Sequence, residues 1–198
     1  MLVFWKQRIV LLAVPKTGTT ALETALLPHA SAAILDPPGQ KHVSAMGYRN
    51  RLASFFEQRG KRPMDVVAVM REPEDWLSSW FRYRGRDQLA GKPNSTRGLS
   101  FDDFVAAWLS EAQPPFAQVG SQANFLTDDQ GRRAVDRIFR YDRLGDLVTF
   151  LESRLETSLE LPRANVSPPG RPGLSVVMRD RLHREAAAEF DLWHSLDG

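Results

Sequence analysis

Cysteine is absent from this sequence of 198 residues. Its absence excludes disulfide bonds, zinc sites with thiolate ligands and a cysteine nucleophile. The sequence also lacks a large excess of charge of either sign, because 26 Lys and Arg residues are balanced by 24 Asp and Glu residues and the formal net charge is only +2. So small an excess of positive charge gives no reason to expect a nucleic-acid partner.

Long hydrophobic runs are lacking as well, and no stretch has the length needed to span a bilayer. The apolar N-terminal segment is interrupted by Lys6, Gln7 and Arg8, with no basic segment before it and no small-residue cleavage site before Pro15. This pattern is not that of a signal peptide. We therefore expect residues 8–14 to form a buried strand, and we expect a cytoplasmic protein without a membrane span.

The sequence also lacks the phosphate-binding motif of nucleotide triphosphatases. The pattern G-x-x-x-x-G-K-[ST] does not occur, so the lysine and the magnesium-binding hydroxyl of that loop are missing. A second apolar strand, where an acidic magnesium ligand would be expected, ends instead in Met70 and Arg71. Both features count against a kinase or an ATPase.

The residues that are present fit one soluble globular domain covering 1–198, since 42% are hydrophobic and 25% are charged. Apolar runs and turn residues predict strands at 8–14, 65–70 and 135–142, with a short one inside 31–39. Helices are predicted at 19–27, 44–58, 72–84, 100–111, 144–155 and 176–193. This alternation predicts an α/β fold with three layers and a mostly parallel central sheet, in which ligands bind at the carboxyl ends of the strands.

The sequence VPKTGTT, residues 14–20, follows the first of these strands. A turn that leads into a helix presents several backbone N–H groups to an anion, and the helix dipole adds positive charge. Gly18 permits close approach of the backbone, the threonines add hydroxyl donors and Lys16 adds a full charge. An ordinary strand-to-helix turn with a surface lysine is an equally good explanation of this short motif alone.

A second such segment, REPEDWLSSW, begins at Arg71 at the end of strand 65–70. Ser79 would lie almost two turns into the following helix, so that Arg71 and Ser79 could bind a second anion. A nucleotide with phosphates at both ends of its ribose would need two such sites. The alternative for Arg71 by itself is an ion pair with Glu72 or Glu74.

The chain resembles the sulfotransferases that use 3′-phosphoadenosine 5′-phosphosulfate (PAPS) in three features: PKTGTT, Arg71-x-Pro73 and Ser79. It looks most similar to the compact bacterial branch related to Golgi-type carbohydrate sulfotransferases. Weaker similarity extends to Lys41-His42 and to the segments 141–152 and 165–169. The resemblance implies that the first loop holds the 5′-phosphosulfate and that Arg71 and Ser79 hold the 3′-phosphate. The cofactor-binding residues it implies in the first loop are Pro15, Lys16, Thr17, Gly18, Thr19 and Thr20.

A base that takes the proton of the acceptor would assist sulfuryl transfer. His42 is the first candidate, because it follows the second predicted strand and lies next to Lys41; Glu23 and Asp36 are the alternatives. Lys16 is the other predicted catalytic residue, since it can stabilise charge on the leaving bisphosphate. Asn165 and Ser167 are further candidate cofactor contacts.

The sequence thus predicts an enzyme that transfers a sulfuryl group from PAPS to a hydroxyl or amine of a small molecule or glycan, without a metal ion. Two other functions fit the same patterns: a nucleotide kinase or other phosphotransferase, and a non-catalytic nucleotide-binding or partner-binding protein. The arginine-rich segment 82–97 is either a solvated helix end and loop or a lid over an anionic ligand.

Overall fold

In the computed structural model, which describes residues 1–59, 61–160 and 172–197, the chain divides into two compact units. The first unit consists of Met1–Arg71 and Gln122–Val166, and the second of Glu72–Ser121 and Ser167–Gly198. The expectation of a single domain over 1–198 stays a prediction. None of the helices in the described ranges is long and apolar enough to cross a membrane.

The first unit contains a mixed five-stranded sheet. Its strands are β1 (Leu2–Phe4), β2 (Ile9–Leu11), β3 (Ala32–Ala33), β4 (Asp65–Met70) and β5 (Arg137–Arg140). They lie in the order β3-β1-β2-β4-β5. β2, β4 and β5 run parallel to one another, whereas β1 pairs antiparallel with both β2 and β3. The fold is therefore α/β, with a mixed open sheet flanked by helices.

Helices of the first unit connect and cover these strands. They are α1 (Thr19–Leu26), α2 (Pro38–Lys41), α3 (Ala45–Arg51) and α4 (Ala53–Phe56), followed later in the chain by a short helix at Gln122–Leu126 and a longer one at Leu144–Leu155. Ser44 caps α3 as predicted, because its hydroxyl accepts a hydrogen bond from the backbone N–H of Gly47 at 3.1 Å. The predicted helix 44–58 is divided at Leu52, which separates α3 from α4.

Both faces of β4 are buried, which explains its continuous apolar sequence. Val67 and Val69 belong to a cluster that includes Leu22 and Leu26 of α1. Val66, Ala68 and Met70 point to the opposite face and are also buried. The helix Leu144–Leu155 adds two side chains one turn apart, Leu147 and Leu151, to the first cluster.

The second unit is helical in the part that is described. Its helices are α5 (Pro73–Arg84) and α6 (Phe101–Trp108) and, near the C-terminus, α9 (Val176–Glu185) and α10 (Ala187–His194). The two later helices of the first unit are α7 (Gln122–Leu126) and α8 (Leu144–Leu155). Ser100 and Asp103 form the predicted capping box of α6. Aromatic residues dominate the core of this unit, among them Trp76, Phe104 and Phe190.

Candidate functional site

Three neighbouring strands end at one edge of the sheet and deliver the residues of the candidate site. Since β2, β4 and β5 are parallel, their carboxyl ends share this edge. β2 leads into the loop 14–20, β4 is followed by Arg71, and β5 is followed by Tyr141. This is the edge at which open α/β sheets bind ligands.

The loop after β2 has an unusual backbone. Lys16 adopts a left-handed conformation with φ 67°, and Gly18 adopts one with φ 77°. The conformation is strained for lysine, because its Cβ approaches the following carbonyl oxygen, at a cost of about 1–2 kcal/mol. Thr17, between them, is buried and donates its hydroxyl to the carbonyl oxygen of Val14 at 2.8 Å. Its hydroxyl thus stabilises the loop from within.

The N-terminus of α1 lies at the end of this loop. Gly18 is the N-cap residue, and among the described residues no side chain caps this helix. In every α-helix, the N–H groups of the first turn have no acceptor within the helix, and the positive end of the helix dipole lies there. Thr19 is half-buried and Thr20 is exposed at this end. Together with the half-buried Pro15 and Lys16, these residues form one continuous predicted anion-binding loop.

Arg71 connects this loop to the end of β4. Its Nη1 donates a hydrogen bond to the carbonyl oxygen of Lys16 at 3.1 Å. Its guanidinium lies 4.5 Å from the ring centre of Tyr141, a cation–π contact. The residue is only 8% exposed, so this positive charge is largely removed from water. The structure therefore brings the side chain of Arg71 to the backbone of Lys16.

Tyr141 was not predicted as a site residue, although it belongs to the segment 141–152 of weaker similarity. Besides facing Arg71, its ring lies against the loop: a Cβ added at Gly18 would come within 3.2 Å of Tyr141 Cε2. Gly18 is thus needed for two reasons, its left-handed backbone and the close approach of an aromatic ring. Residues 137–141 form a strand followed by a tyrosine, and nothing in that local pattern predicts the approach of Tyr141 to Gly18.

His42 lies beside the start of the same loop. Its Nδ1 is 2.7 Å from the carbonyl oxygen of Ala13, and since a carbonyl can only accept, Nδ1 carries the proton. The neutral ring then has its lone pair on Nε2. Burial lowers the pKa of His42 from its ordinary value of 6.5, an effect that the carbonyl of Ala13 opposes and the charge of Lys41 reinforces. Near neutral pH the ring is therefore uncharged and can accept a proton.

The two alternative bases have different surroundings. Glu23 on α1 is largely buried, and its Oε2 forms a salt bridge of 2.7 Å with Lys41 Nζ. The other carboxylate oxygen, Oε1, is buried without a hydrogen-bond partner among the described residues. Glu23 also lines a small pocket, together with Thr17 and Thr19. Asp36, by contrast, is exposed.

The helix α5, which follows Arg71 in the chain, differs from α1 at its N-terminus. The carboxylate of Glu72 accepts hydrogen bonds from the backbone N–H of Glu74 at 3.1 Å and of Asp75 at 2.7 Å. The first turn of α5 is therefore already occupied by a negative charge. Ser79 lies further along α5, in the second unit, and is 6% exposed. Its predicted contact with the 3′-phosphate stays a prediction.

The arginine-rich segment 82–97 has partners within the second unit. Arg84 donates to the carbonyl oxygens of Pro115 and Gln118 at 2.6 and 2.7 Å. Arg97 forms an ion pair with Asp87, and residues 87–89 form a short 3-10 turn. These contacts are those of a helix end and a loop, and the alternative of a lid over an anionic ligand stays a prediction.

Two other predictions remain without a structural description. Asn165 and Ser167 lie outside the described residues.

Within the described ranges, no group of three or more His, Asp or Glu side chains is arranged to hold a metal ion.

Comparisons of the chain with models of known protein families, with curated proteins and with solved structures found no match. The functional proposal therefore rests on the geometry of the first unit and on the sequence resemblance.

Proposed function

We propose that the protein is a sulfotransferase that moves a sulfuryl group from PAPS to a hydroxyl or amine group of a small molecule or glycan. The observation that carries the proposal is the hydrogen bond of 3.1 Å from Arg71 Nη1 to the Lys16 carbonyl oxygen. It joins two loops that the sequence independently predicts to bind anions. A nucleotide with separate 5′ and 3′ anionic groups fits two adjacent positive sites better than a triphosphate does.

The loop 14–20 would bind the 5′-phosphosulfate. Uncapped N–H groups at the start of α1 and the ammonium group of Lys16 are donors of the kind that bind phosphate and sulfate. As the bond between sulfur and the bridging oxygen breaks, negative charge grows on the leaving bisphosphate. Lys16 would stabilise this charge, and the strained backbone at Lys16 would hold its donors in place before the reaction.

Arg71 would bind the 3′-phosphate. A guanidinium offers several N–H donors in one plane, and the contact with Lys16 uses Nη1. The cation–π contact with Tyr141 helps to hold the guanidinium in place. Ser79 keeps the role that the resemblance implies for it.

His42 would act as the base. Its Nε2 accepts the proton of the acceptor hydroxyl while the acceptor oxygen forms a bond to sulfur and PAP (adenosine 3′,5′-bisphosphate) leaves with the bridging oxygen. The hydrogen bond from Nδ1 to Ala13 fixes the ring in the tautomer that this step needs. Glu23, paired with Lys41, is the alternative base.

The three-layer, P-loop-like architecture is part of the same proposal. It is supported by the parallel arrangement of β2, β4 and β5 and by the loop and helix that follow β2. The antiparallel pairs of β1 would then be an addition at one side of the sheet.

A transfer assay tests the proposal. The protein is incubated with PAPS labelled in its sulfate and with a panel of alcohols, phenols, amines and glycans, and labelled products are detected by mass spectrometry. Lys16→Ala should slow transfer roughly 10²–10³-fold, the typical effect of removing a preorganised donor. His42→Ala should slow transfer to alcohols roughly 10²–10⁴-fold, and less for acidic phenols, which are already partly ionised.

Matched controls exist for both substitutions. Lys6→Ala removes the same charge from an exposed position before β2, and His29→Ala removes an exposed histidine. Both variants should keep the rate of the wild type. If no acceptor in a broad panel receives the label although PAP binds, a non-catalytic nucleotide-binding function would replace this proposal.

A further inference from the structure

Gln122 is a fully buried polar residue to which the sequence assigned no role. It is 0% exposed and begins the short helix α7. Its Oε1 accepts a hydrogen bond from the backbone N–H of Arg71 at 2.9 Å. Its Nε2 donates a hydrogen bond to the carbonyl oxygen of the same residue at 2.8 Å. One side-chain amide thus pairs with both backbone polar groups of Arg71.

This pairing occurs where the sheet can no longer supply it. Met70 is the last residue of β4 and pairs with Arg140 of β5. Arg71 follows it and is buried, so its backbone N–H and carbonyl groups need partners from elsewhere. Gln122 presents an amide in the way that a neighbouring strand would present its backbone.

The pairing also fixes the direction in which the Arg71 side chain leaves the backbone. That side chain reaches the carbonyl oxygen of Lys16, and its guanidinium lies over the ring of Tyr141. Rotation of the Arg71 backbone would move the guanidinium, because both contacts depend on where the Cα–Cβ bond points. Glutamine suits this task, since a glutamate lacks the donor that the Arg71 carbonyl requires.

We propose that Gln122 is a positioning residue that holds Arg71 in the orientation needed to bind the 3′-phosphate of the nucleotide. The inference rests on the proposed function, because it concerns the role given there to Arg71. Gln122 acts on the ligand only through Arg71 and touches no reacting atom.

The test compares Gln122→Met with Leu126→Ala. Methionine has a similar length but neither hydrogen bond, whereas Leu126 is a fully buried apolar residue of the same helix α7. Leu126→Ala therefore disturbs the packing of α7 and leaves the amide in place. In the absence of ligand, hydrogen exchange resolved by residue reports on the Arg71 amide. We expect it to exchange at least about tenfold faster in Gln122→Met, relative to the amides of β4, and at an unchanged relative rate in Leu126→Ala.

Calorimetric titrations with PAP and with AMP, which lacks the 3′-phosphate, provide the second readout. We expect Gln122→Met to weaken PAP binding roughly 10- to 100-fold, the loss expected when a hydrogen bond to a charged group is misplaced, and AMP binding less than about threefold. Leu126→Ala should leave the ratio of the two affinities as it is in the wild type.

The possible results distinguish the positioning role of Gln122 from the proposed function. If the wild type binds PAP and Gln122→Met retains the wild-type ratio of affinities, or if the Arg71 amide exchanges no faster, the positioning role of Gln122 is refuted and the proposed function stands. If the wild type does not prefer PAP to AMP, the role of Arg71 and that of Gln122 are refuted together.

Discussion

At the scale of single residues, Gly18 has the most constrained position in the candidate site. Its φ of 77° lies in the left-handed region, and an added Cβ would come within 3.2 Å of Tyr141 Cε2. We expect Gly18→Ala to lower the free energy of unfolding by about 1–2 kcal/mol from the backbone alone, and to displace the ring of Tyr141. Urea unfolding of the two proteins measures the difference.

Gly145→Ala is the matched control. Gly145 lies in α8, and a Cβ added there has no atom within 4 Å among the described residues. Alanine is a better helix former than glycine, so this variant should gain up to about 1 kcal/mol. Two substitutions of the same kind should thus have opposite signs. A neutral or stabilising Gly18→Ala would contradict the geometry described for the loop.

His42 should make the stability of the protein depend on pH. Its pKa in the folded state lies below 6.5, its ordinary value, because burial disfavours the charged ring. The unfolded chain therefore binds a proton more readily, and the free energy of unfolding should decrease as the pH falls through 6.5. His42→Gln should remove this part of the dependence, which unfolding curves between about pH 8 and about pH 5.5 would reveal. A constant difference between the two proteins over that range would refute it.

The sequence revealed only some of the residues in the site. Lys16, Gly18 and Arg71 were identifiable because they directly follow apolar strands, where ligand-binding residues are expected. Tyr141 and Gln122 were not, because their roles depend on contacts with Arg71 across long stretches of chain. A glutamine that replaces strand pairing has no local signature.

At the scale of elements, the two helices that follow β2 and β4 in the chain have different N-termini. α1 has no side-chain cap among the described residues, whereas the carboxylate of Glu72 caps α5. We expect Glu72→Ala to lower the free energy of unfolding by about 1 kcal/mol, the usual value of a capping side chain, and Glu72→Gln to cost less because it keeps an acceptor oxygen. Urea unfolding again provides the measurement.

Ser100→Ala calibrates this effect. It removes half of the capping box of α6 and should cost a similar amount. If Ser100→Ala destabilises the protein and Glu72→Ala does not, the hydrogen bonds of Glu72 contribute nothing and the start of α5 would be open to another anion.

Most elements with a clear apolar pattern were predicted, including α1, β4, α5 and α8 at or near their observed bounds. The strand β1 was missed, because its turn to β2 contains neither glycine nor asparagine and places Arg8 in a left-handed conformation with φ 58°. The predicted helix 176–193 is divided at Ala186, where no proline or glycine marks a break. Tertiary packing decides such details, and local sequence does not encode them.

At the scale of the whole molecule, two basic residues from distant parts of a nearly neutral chain meet at one sheet edge. The net charge is +2, yet Lys16 and Arg71 meet where β2 and β4 end. Parallel strands explain this, since they bring residues far apart in the chain to the same edge. The mixed character of the sheet arises from β1 and β3, which lie on the other side of β2.

We propose that this edge binds a nucleotide with a 3′-phosphate and needs no metal ion to do so. Thermal unfolding of the wild type, with PAP in the presence of a chelator and separately with ATP and magnesium, tests it most directly. A ligand that binds only the folded state at 100 times its dissociation constant adds about 2.7 kcal/mol to the free energy of unfolding. We predict a clear rise in melting temperature with PAP and a much smaller one with ATP and magnesium at equal concentration. The reverse order would contradict the proposed function and support a phosphotransferase.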